Sequence, residues 1–127
     1  MTTIILDFET SGLNPYHDDI IEIGAKVLNT DKSFQCLVKP QSGKLISKKI
    51  TEITKITNRA LRAEGLNWLN AYIEFYNWLI ENLNHEDKNA IVSHNGTTFD
   101  FIFLKRIIYD LNKYSENIEK FMNIKIY

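Results

Sequence analysis

The stretch DFETSGL, residues Asp7–Leu13, carries two acidic side chains one residue apart. It follows the apolar run Ile4–Leu6, which is typical of a buried strand, and it leads into a glycine-containing turn. Because side chains alternate between the two faces of a strand, Asp7 and Glu9 are predicted to point to the same side. Two carboxylates this close repel each other and raise each other's pKa unless a cation lies between them. The pair therefore indicates either a divalent-metal site or, equally, two solvated acids at a strand end.

A third acidic residue lies in the stretch HNGTTFD, residues 94–100. This stretch joins a short predicted strand at residues 90–93 to a predicted helix from residue 99 to about residue 113. Asp100 begins a series at helical spacing whose other members are apolar, so its carboxylate is predicted to point at the rim of the sheet. The alternative is a helix cap, in which Asp100 and Thr97 satisfy free backbone N–H groups.

The remaining pattern predicts an α/β domain. Residues 2–9, 20–28 and 33–39 have the composition of strands, and their short connections favour an antiparallel meander. Residues 66–83 have apolar side chains at helical spacing on two stripes, which indicates a helix buried over much of its surface. Residues 124–127 begin a further predicted strand. The aromatic residues of the helix are predicted to pack in the core rather than to stack on nucleic-acid bases: Trp68, Tyr72, Phe75, Tyr76 and Trp78.

Composition limits the class of protein. The 127 residues, 44% of them hydrophobic, fit a single domain spanning residues 1–127 with a real core. The single cysteine, Cys36, excludes an internal disulfide. There is no secretory leader and no apolar run of membrane-spanning length, so we expect a soluble, intracellular protein without membrane contact. A net charge of -1 argues against nucleic-acid binding by bulk electrostatics but leaves nucleic acid as a substrate.

Taken in order, DFETSGL, the segment DIIEIGA at residues 19–25 and the HN and FD pairs within residues 94–100 resemble the DEDD superfamily of 3′-to-5′ exonucleases. The resemblance is to the branch of RNase T and the polymerase III proofreading subunit, in the histidine subclass. It implies a ribonuclease-H-like α/β fold, with a mixed five-stranded sheet and flanking helices, truncated at its C-terminus. It also implies hydrolysis of single-stranded DNA or RNA from the 3′ end by a two-metal mechanism.

The resemblance also implies roles for individual residues. Asp7, Glu9 and Asp100 match the catalytic metal ligands, which would hold two Mg²⁺ or Mn²⁺ ions. Asp7 would bridge the ions, Glu9 would hold the ion beside the attacking water, and Asp100 would hold the second ion. Carboxylate oxygen suits this purpose because hard divalent cations prefer it to sulfur or nitrogen.

Four further residues match substrate-binding positions of the superfamily. Thr10 and Leu13 correspond to positions that meet the terminal nucleotide, through a backbone N–H group and by packing on the base. Asn95 and Phe99 match the second conserved stretch, together with His94, and are expected to support the site.

The sequence departs from the superfamily in two places. No match is present for the third motif, which supplies a general-base histidine and a fourth acid, and we expect an oligomer or a larger polypeptide to supply it. The alternative is a non-catalytic nucleic-acid-binding or structural module. Lys55 stands where many members have glycine, which puts the local loop geometry in question. The basic segment at residues 44–64 is predicted either to follow substrate phosphates or to be a solvated surface.

Overall fold

The computed structural model describes residues 1–94 and 99–114. Within them the chain forms four strands and four helices. In chain order these are β1 (Thr2–Thr10), β2 (Ile20–Val27), β3 (Ser33–Leu37), α1 (Lys48–Thr54), α2 (Asn58–Glu64), α3 (Trp68–Asn82), β4 (Asn89–Ser93) and α4 (Phe99–Tyr114).

The four strands form one mixed sheet in the order β3-β2-β1-β4. β1 pairs antiparallel with β2, and β2 pairs antiparallel with β3, so the predicted meander is confirmed. β4 returns parallel to β1 after the helices, which places the start of α4 near the end of β1. The predicted strand at residues 124–127 lies outside the described residues.

The main core lies between one face of the sheet and the helices α3 and α4. On β1, Ile4, Leu6 and Phe8 are buried in this core, and the residues between them are only partly buried. The predicted role of the α3 aromatic residues is confirmed. Three of them are buried and the two tryptophans pack at the edge of the core: Tyr72, Phe75, Tyr76, Trp68 and Trp78. The main core therefore leaves the odd-numbered side chains of β1 on the opposite face.

The short helices α1 and α2 were not predicted. Each begins with a side-chain cap, because the hydroxyl groups of Ser47 and Thr57 accept hydrogen bonds from backbone N–H groups in the first turn. A second, smaller core fixes this region to the sheet and consists of Ile21, Ile46, Ile56 and Leu61.

Lys55 ends α1 in the left-handed conformation, with φ at 66°. Its backbone N–H donates to the carbonyl oxygen of Thr51 at 2.8 Å. The turn that glycine would favour at this position is therefore made by a lysine, at a conformational cost of about 1 kcal/mol.

No helix in the described part of the chain combines the length and the apolar character that crossing a lipid bilayer requires.

Candidate active site

Asp7 and Glu9 lie on the face of β1 that points away from the main core. Their neighbours Leu6 and Phe8 are buried, whereas both acids are partly exposed. Gly24 of β2 is paired with Asp7, and a Cβ atom at Gly24 would lie 3.1 Å from the backbone oxygen of Asp7. The absence of a side chain at this position thus lets β2 pass close to Asp7.

Glu9 lies in a negative environment. In the strand pairing it is opposite Glu22, so two carboxylates share one face of adjacent strands. Partial burial raises the pKa of Glu9, and the nearby charges of Asp7, Glu22 and Asp100 raise it further. The pairing register and the electrostatics both indicate that acidic side chains converge at this end of β1.

Asp100 lies in the first turn of α4 and is 3% exposed. The hydroxyl group of Ser93, the last residue of β4, donates a hydrogen bond to its Oδ2 atom at 2.9 Å. Burial is the main cause that raises the pKa of Asp100, and the charge of Asp7 adds to it. Hydrogen bonds from Ser93 and from the backbone of Phe8, and the charge of His94, act in the opposite direction.

The three predicted acids therefore affect one another electrostatically, but they do not form a closed ligand shell. In residues 1–94 and 99–114, no group of three or more His, Cys, Asp or Glu side chains has the arrangement that encloses a metal ion. The donor chemistry nevertheless fits a hard divalent cation, because carboxylates whose pKa values are raised by burial and by a neighbouring acid are stabilised by positive charge. Their role as metal ligands stays a prediction.

The loop that follows Glu9 is held in one shape by its own hydrogen bonds. The hydroxyl group of Thr10 donates to the carbonyl oxygen of Gly12 at 2.7 Å. The carboxylate of Asp18 accepts from the N–H of Asn14 at 2.7 Å and packs so closely on Gly12 that a Cβ atom there would lie 2.3 Å from Asp18 Oδ2. A side chain at residue 12 would therefore displace the carboxylate of Asp18. The turn presents Leu13 to solvent with 90% of its surface exposed.

A cavity of about 570 Å³, which we call the site groove, joins most of the predicted residues. One wall is formed by the end of β1, the following loop and the first turn of α4. Its predicted members are Glu9, Thr10, Leu13, Phe99 and Asp100. Asp7 instead lines a neighbouring cavity of about 330 Å³ together with His94. Asn95 lies outside the described residues, so its predicted role has no structural test.

The opposite wall of the site groove comes from α1, which the sequence did not indicate as part of the site. It consists of Lys49, Ile50, Ile53 and Thr54. Ile53 is 66% exposed and lines the groove together with Leu13. The only sequence signal for this wall was the excess of basic residues at 44–64, which contains Lys49. The groove is thus lined by two acidic side chains and by two exposed aliphatic side chains.

Comparison with known proteins identifies the family of the chain. The exonuclease family model named for RNase T matches residues 4–126. The chain is 36% identical over 107 residues to the PolC-type DNA polymerase III of Mycoplasma genitalium, covering 82% of this chain and 7% of that protein. It is 30% identical over 102 residues to the 3′-5′ DNA exonuclease Cap18 of Escherichia coli, covering 80% of this chain and 54% of that protein.

The fold is also found in solved structures. E. coli exonuclease I in complex with a dA16 oligonucleotide superimposes with a TM-score of 0.69 at 23% identity, covering 87% of this chain and 24% of that one. The chain thus spans only part of the relatives that it matches. The chain belongs to the exonuclease family, within the DEDD superfamily of 3′-to-5′ exonucleases, and has the ribonuclease-H-like α/β fold.

Proposed function

We propose that the chain is the catalytic-site half of a 3′-to-5′ exonuclease that removes nucleotides from single-stranded DNA or RNA. The observation that carries the proposal is the convergence of Glu9, Asp100 and Asp7. Burial raises the pKa of both Glu9 and Asp100. The charges of Asp7 and Asp100 raise the pKa of Glu9 further, and the charge of Asp7 raises that of Asp100. An arrangement of this kind is costly for a folded chain unless a cation compensates the charge.

Asp7, Glu9 and Asp100 would hold Mg²⁺ or Mn²⁺, as two ions. When bound, such ions stabilise charge on the attacking water and on the leaving oxygen of a phosphodiester. The residues of the chain itself have a different task. Ser93 fixes the carboxylate of Asp100 by its hydrogen bond, and Gly24 lets the neighbouring strand approach Asp7.

The site groove is proposed to hold the 3′-terminal nucleotide. The exposed aliphatic side chains of Leu13 and Ile53 line it and offer an apolar contact for a base. Thr10 and Phe99 line the same groove together with Glu9 and Asp100. The position of Lys49 on the α1 wall gives a cation that can contact a phosphate.

Hydrolysis is proposed to depend on residues that this sequence does not match, namely the general-base histidine and the fourth acid of the third motif. A positioned general base typically contributes about 10²–10⁴-fold to a rate. The PolC-type relatives are much longer polypeptides than this chain, which supports the proposal that additional sequence or a partner supplies both groups. The competing proposal is a binding module without catalysis.

The test is degradation of 5′-labelled single-stranded DNA and RNA with Mn²⁺, by the 127-residue chain and by a longer chain that includes the third motif. We expect slow shortening from the 3′ end by the former and rapid shortening by the latter. Asp7→Ala should abolish both, and Asp31→Ala, at an exposed turn, should leave both unchanged. Tight binding without shortening by either chain would favour the binding module, and neither binding nor shortening would overturn both proposals.

A further inference from the structure

A second cavity, of about 510 Å³, lies beside the site groove. Its walls are Pro15 and Tyr16 of the loop after β1 and the following turns of α4, which contribute Lys105 and Tyr109. We call it the tyrosine groove. It continues one wall of the site groove, since Pro15 follows Leu13 in the loop and Lys105 follows Asp100 on α4. On α4, the distance from Asp100 to Tyr109 along the helix is about 13 Å at about 1.5 Å per residue.

The two tyrosines are unusually exposed for residues of this size. Tyr16 has 74% of its surface exposed and Tyr109 has 67%. The aromatic side chains of α3 are buried in the core or packed against it, so these two tyrosines differ from them. Exposed rings beside a cation are the arrangement on which single-stranded nucleic acids stack their bases.

The loop that carries Tyr16 is held in place before any ligand binds. The guanidinium group of Arg106 donates to the carbonyl oxygens of Pro15 and Asp18, and to Gln41 Oε1 at 3.3 Å. The hydrogen-bond donors of Arg106 are therefore used to hold the loop. Lys105 is exposed, so it is the cation of the groove that can contact a phosphate. A preorganised loop lowers the entropic cost of binding.

The tyrosine groove carries an acidic side chain, Asp110, as well as the basic side chain of Lys105. Asp110 lines the groove and is 8% exposed, and within the described residues its Oδ2 atom is buried without a hydrogen-bond partner. A buried carboxylate repels phosphate, so phosphates are expected on the side of Lys105 and bases against the tyrosine rings. This separation fits a nucleotide strand better than it fits an inorganic anion.

We propose that the tyrosine groove binds the nucleotides on the 5′ side of the terminal one, with bases stacked on Tyr16 and Tyr109 and a phosphate beside Lys105. This inference rests on the proposed function, because it extends the path of the strand away from the site groove. It assigns affinity for longer substrates to residues that lie outside the predicted catalytic set.

The test is the affinity of the chain for a dinucleotide and a hexanucleotide of thymidine with phosphorothioate linkages, measured by fluorescence anisotropy with Mg²⁺. We expect the hexanucleotide to bind more tightly. Tyr16→Ala and Tyr109→Ala should each weaken hexanucleotide binding about tenfold, the effect of losing one stacked base, and leave dinucleotide binding unchanged. The matched variants Tyr16→Phe and Tyr109→Phe keep the ring and should bind as the unchanged chain does.

Two lysine variants test the contribution of charge to binding. Lys105→Gln should weaken hexanucleotide binding and reduce its salt dependence. The control variant Lys88→Gln should do neither, because Lys88 is an exposed residue that precedes β4, at the end of the strand away from α4. Hexanucleotide binding that stays within twofold after both tyrosine-to-alanine changes would overturn the inference and leave this surface to a protein partner. Equal binding of the two oligonucleotides by the unchanged chain would also overturn it while leaving the proposed function standing. Binding of neither oligonucleotide would overturn both.

Discussion

The buried aspartates Asp19 and Asp100 both accept hydrogen bonds from serine, but only Asp100 lies near other candidate site acids. Asp19 is 5% exposed and Asp100 is 3% exposed, and each accepts a hydrogen bond from a serine hydroxyl group. Ser42 donates to both oxygens of Asp19, from its hydroxyl group at 2.5 Å and from its backbone N–H at 3.1 Å. Asp100 instead lies near two acids of like charge: Asp7 raises the pKa of Asp100, and Asp100 raises the pKa of Glu9.

The difference separates a structural acid from a candidate ligand. The charge of Asp19 is used within the fold, where it fastens the loop at Ser42 to the start of β2. The charge of Asp100 is only partly compensated by Ser93 and the backbone of Phe8, and its pKa is raised. Asp100 is a buried carboxylate that a neighbouring acid repels, and such a group indicates a role in function and not in folding.

The largest effect should come from removing the structural acid. We expect Asp19→Ala to lower the free energy of unfolding by about 3 kcal/mol, because it removes two charge-assisted hydrogen bonds and leaves the Ser42 donors without an acceptor. Urea denaturation measures the change. Asp31→Ala removes an exposed acid and should change stability by less than about 0.5 kcal/mol. Equal effects of the two variants would show that Asp19 does not hold the loop.

The second effect is the dependence of the free energy of unfolding on pH when no metal is bound. The raised pKa values of Glu9 and Asp100 mean that the folded state binds more protons than the unfolded state above the ordinary carboxyl pKa of about 4. These two groups therefore contribute stability at low pH that is lost as pH rises through their folded-state pKa values.

The measurement is the free energy of unfolding in a chelator at several pH values, for the unchanged chain and for Glu9→Gln combined with Asp100→Asn. The double variant should gain stability relative to the unchanged chain as pH rises from about 4 toward neutrality. A difference that does not vary with pH would mean that neither burial nor the neighbouring acids raise the pKa values of Glu9 and Asp100 in the folded chain.

The smallest effect should come from Glu22, which lies opposite Glu9 on the adjacent strand. Glu22→Gln removes one of two like charges, so without metal we expect a gain of about 0.2–1 kcal/mol. Gln35 donates to Glu22 at 3.3 Å, and a glutamine at residue 22 retains an oxygen that can accept this bond. Thermal denaturation in a chelator measures the change. Destabilisation by Glu22→Gln would show that the bond to Gln35 outweighs the repulsion from Glu9.

Much of the fold followed from hydrophobic periodicity, and the part that did not has a physical cause. β1, β2, β3, β4, α3 and α4 all carry regular apolar patterns, and their bounds differ from the predicted ranges by only a few residues. The helices α1 and α2 have seven residues each, with no buried residue in α1 and only Leu61 in α2. Helices held by caps and by a small separate core lack the amphipathic stripe on which prediction depends.

Part of the candidate site was predictable from the regular spacing of residues along strands and helices. Strand alternation predicted that Asp7 and Glu9 share a face, and the helical series predicted that Asp100 lies at the rim of the sheet. The hydrogen bond from Ser93 to Asp100 and the pairing of Glu22 with Glu9 depend on tertiary register, which the sequence pattern does not specify. The α1 wall was missed because α1 itself was missed.

The central claim is that Asp7, Glu9 and Asp100 together bind a divalent cation, and thermal denaturation with increasing Mn²⁺ tests it most directly. A cation that binds only the folded state should add about 2.7 kcal/mol of stability at a concentration 100 times its Kd. The account predicts a rise in Tm for the unchanged chain and for Asp31→Asn, and loss of most of that rise in Asp7→Asn and in Asp100→Asn. An equal rise in all four proteins would contradict the account, because the cation would then bind elsewhere.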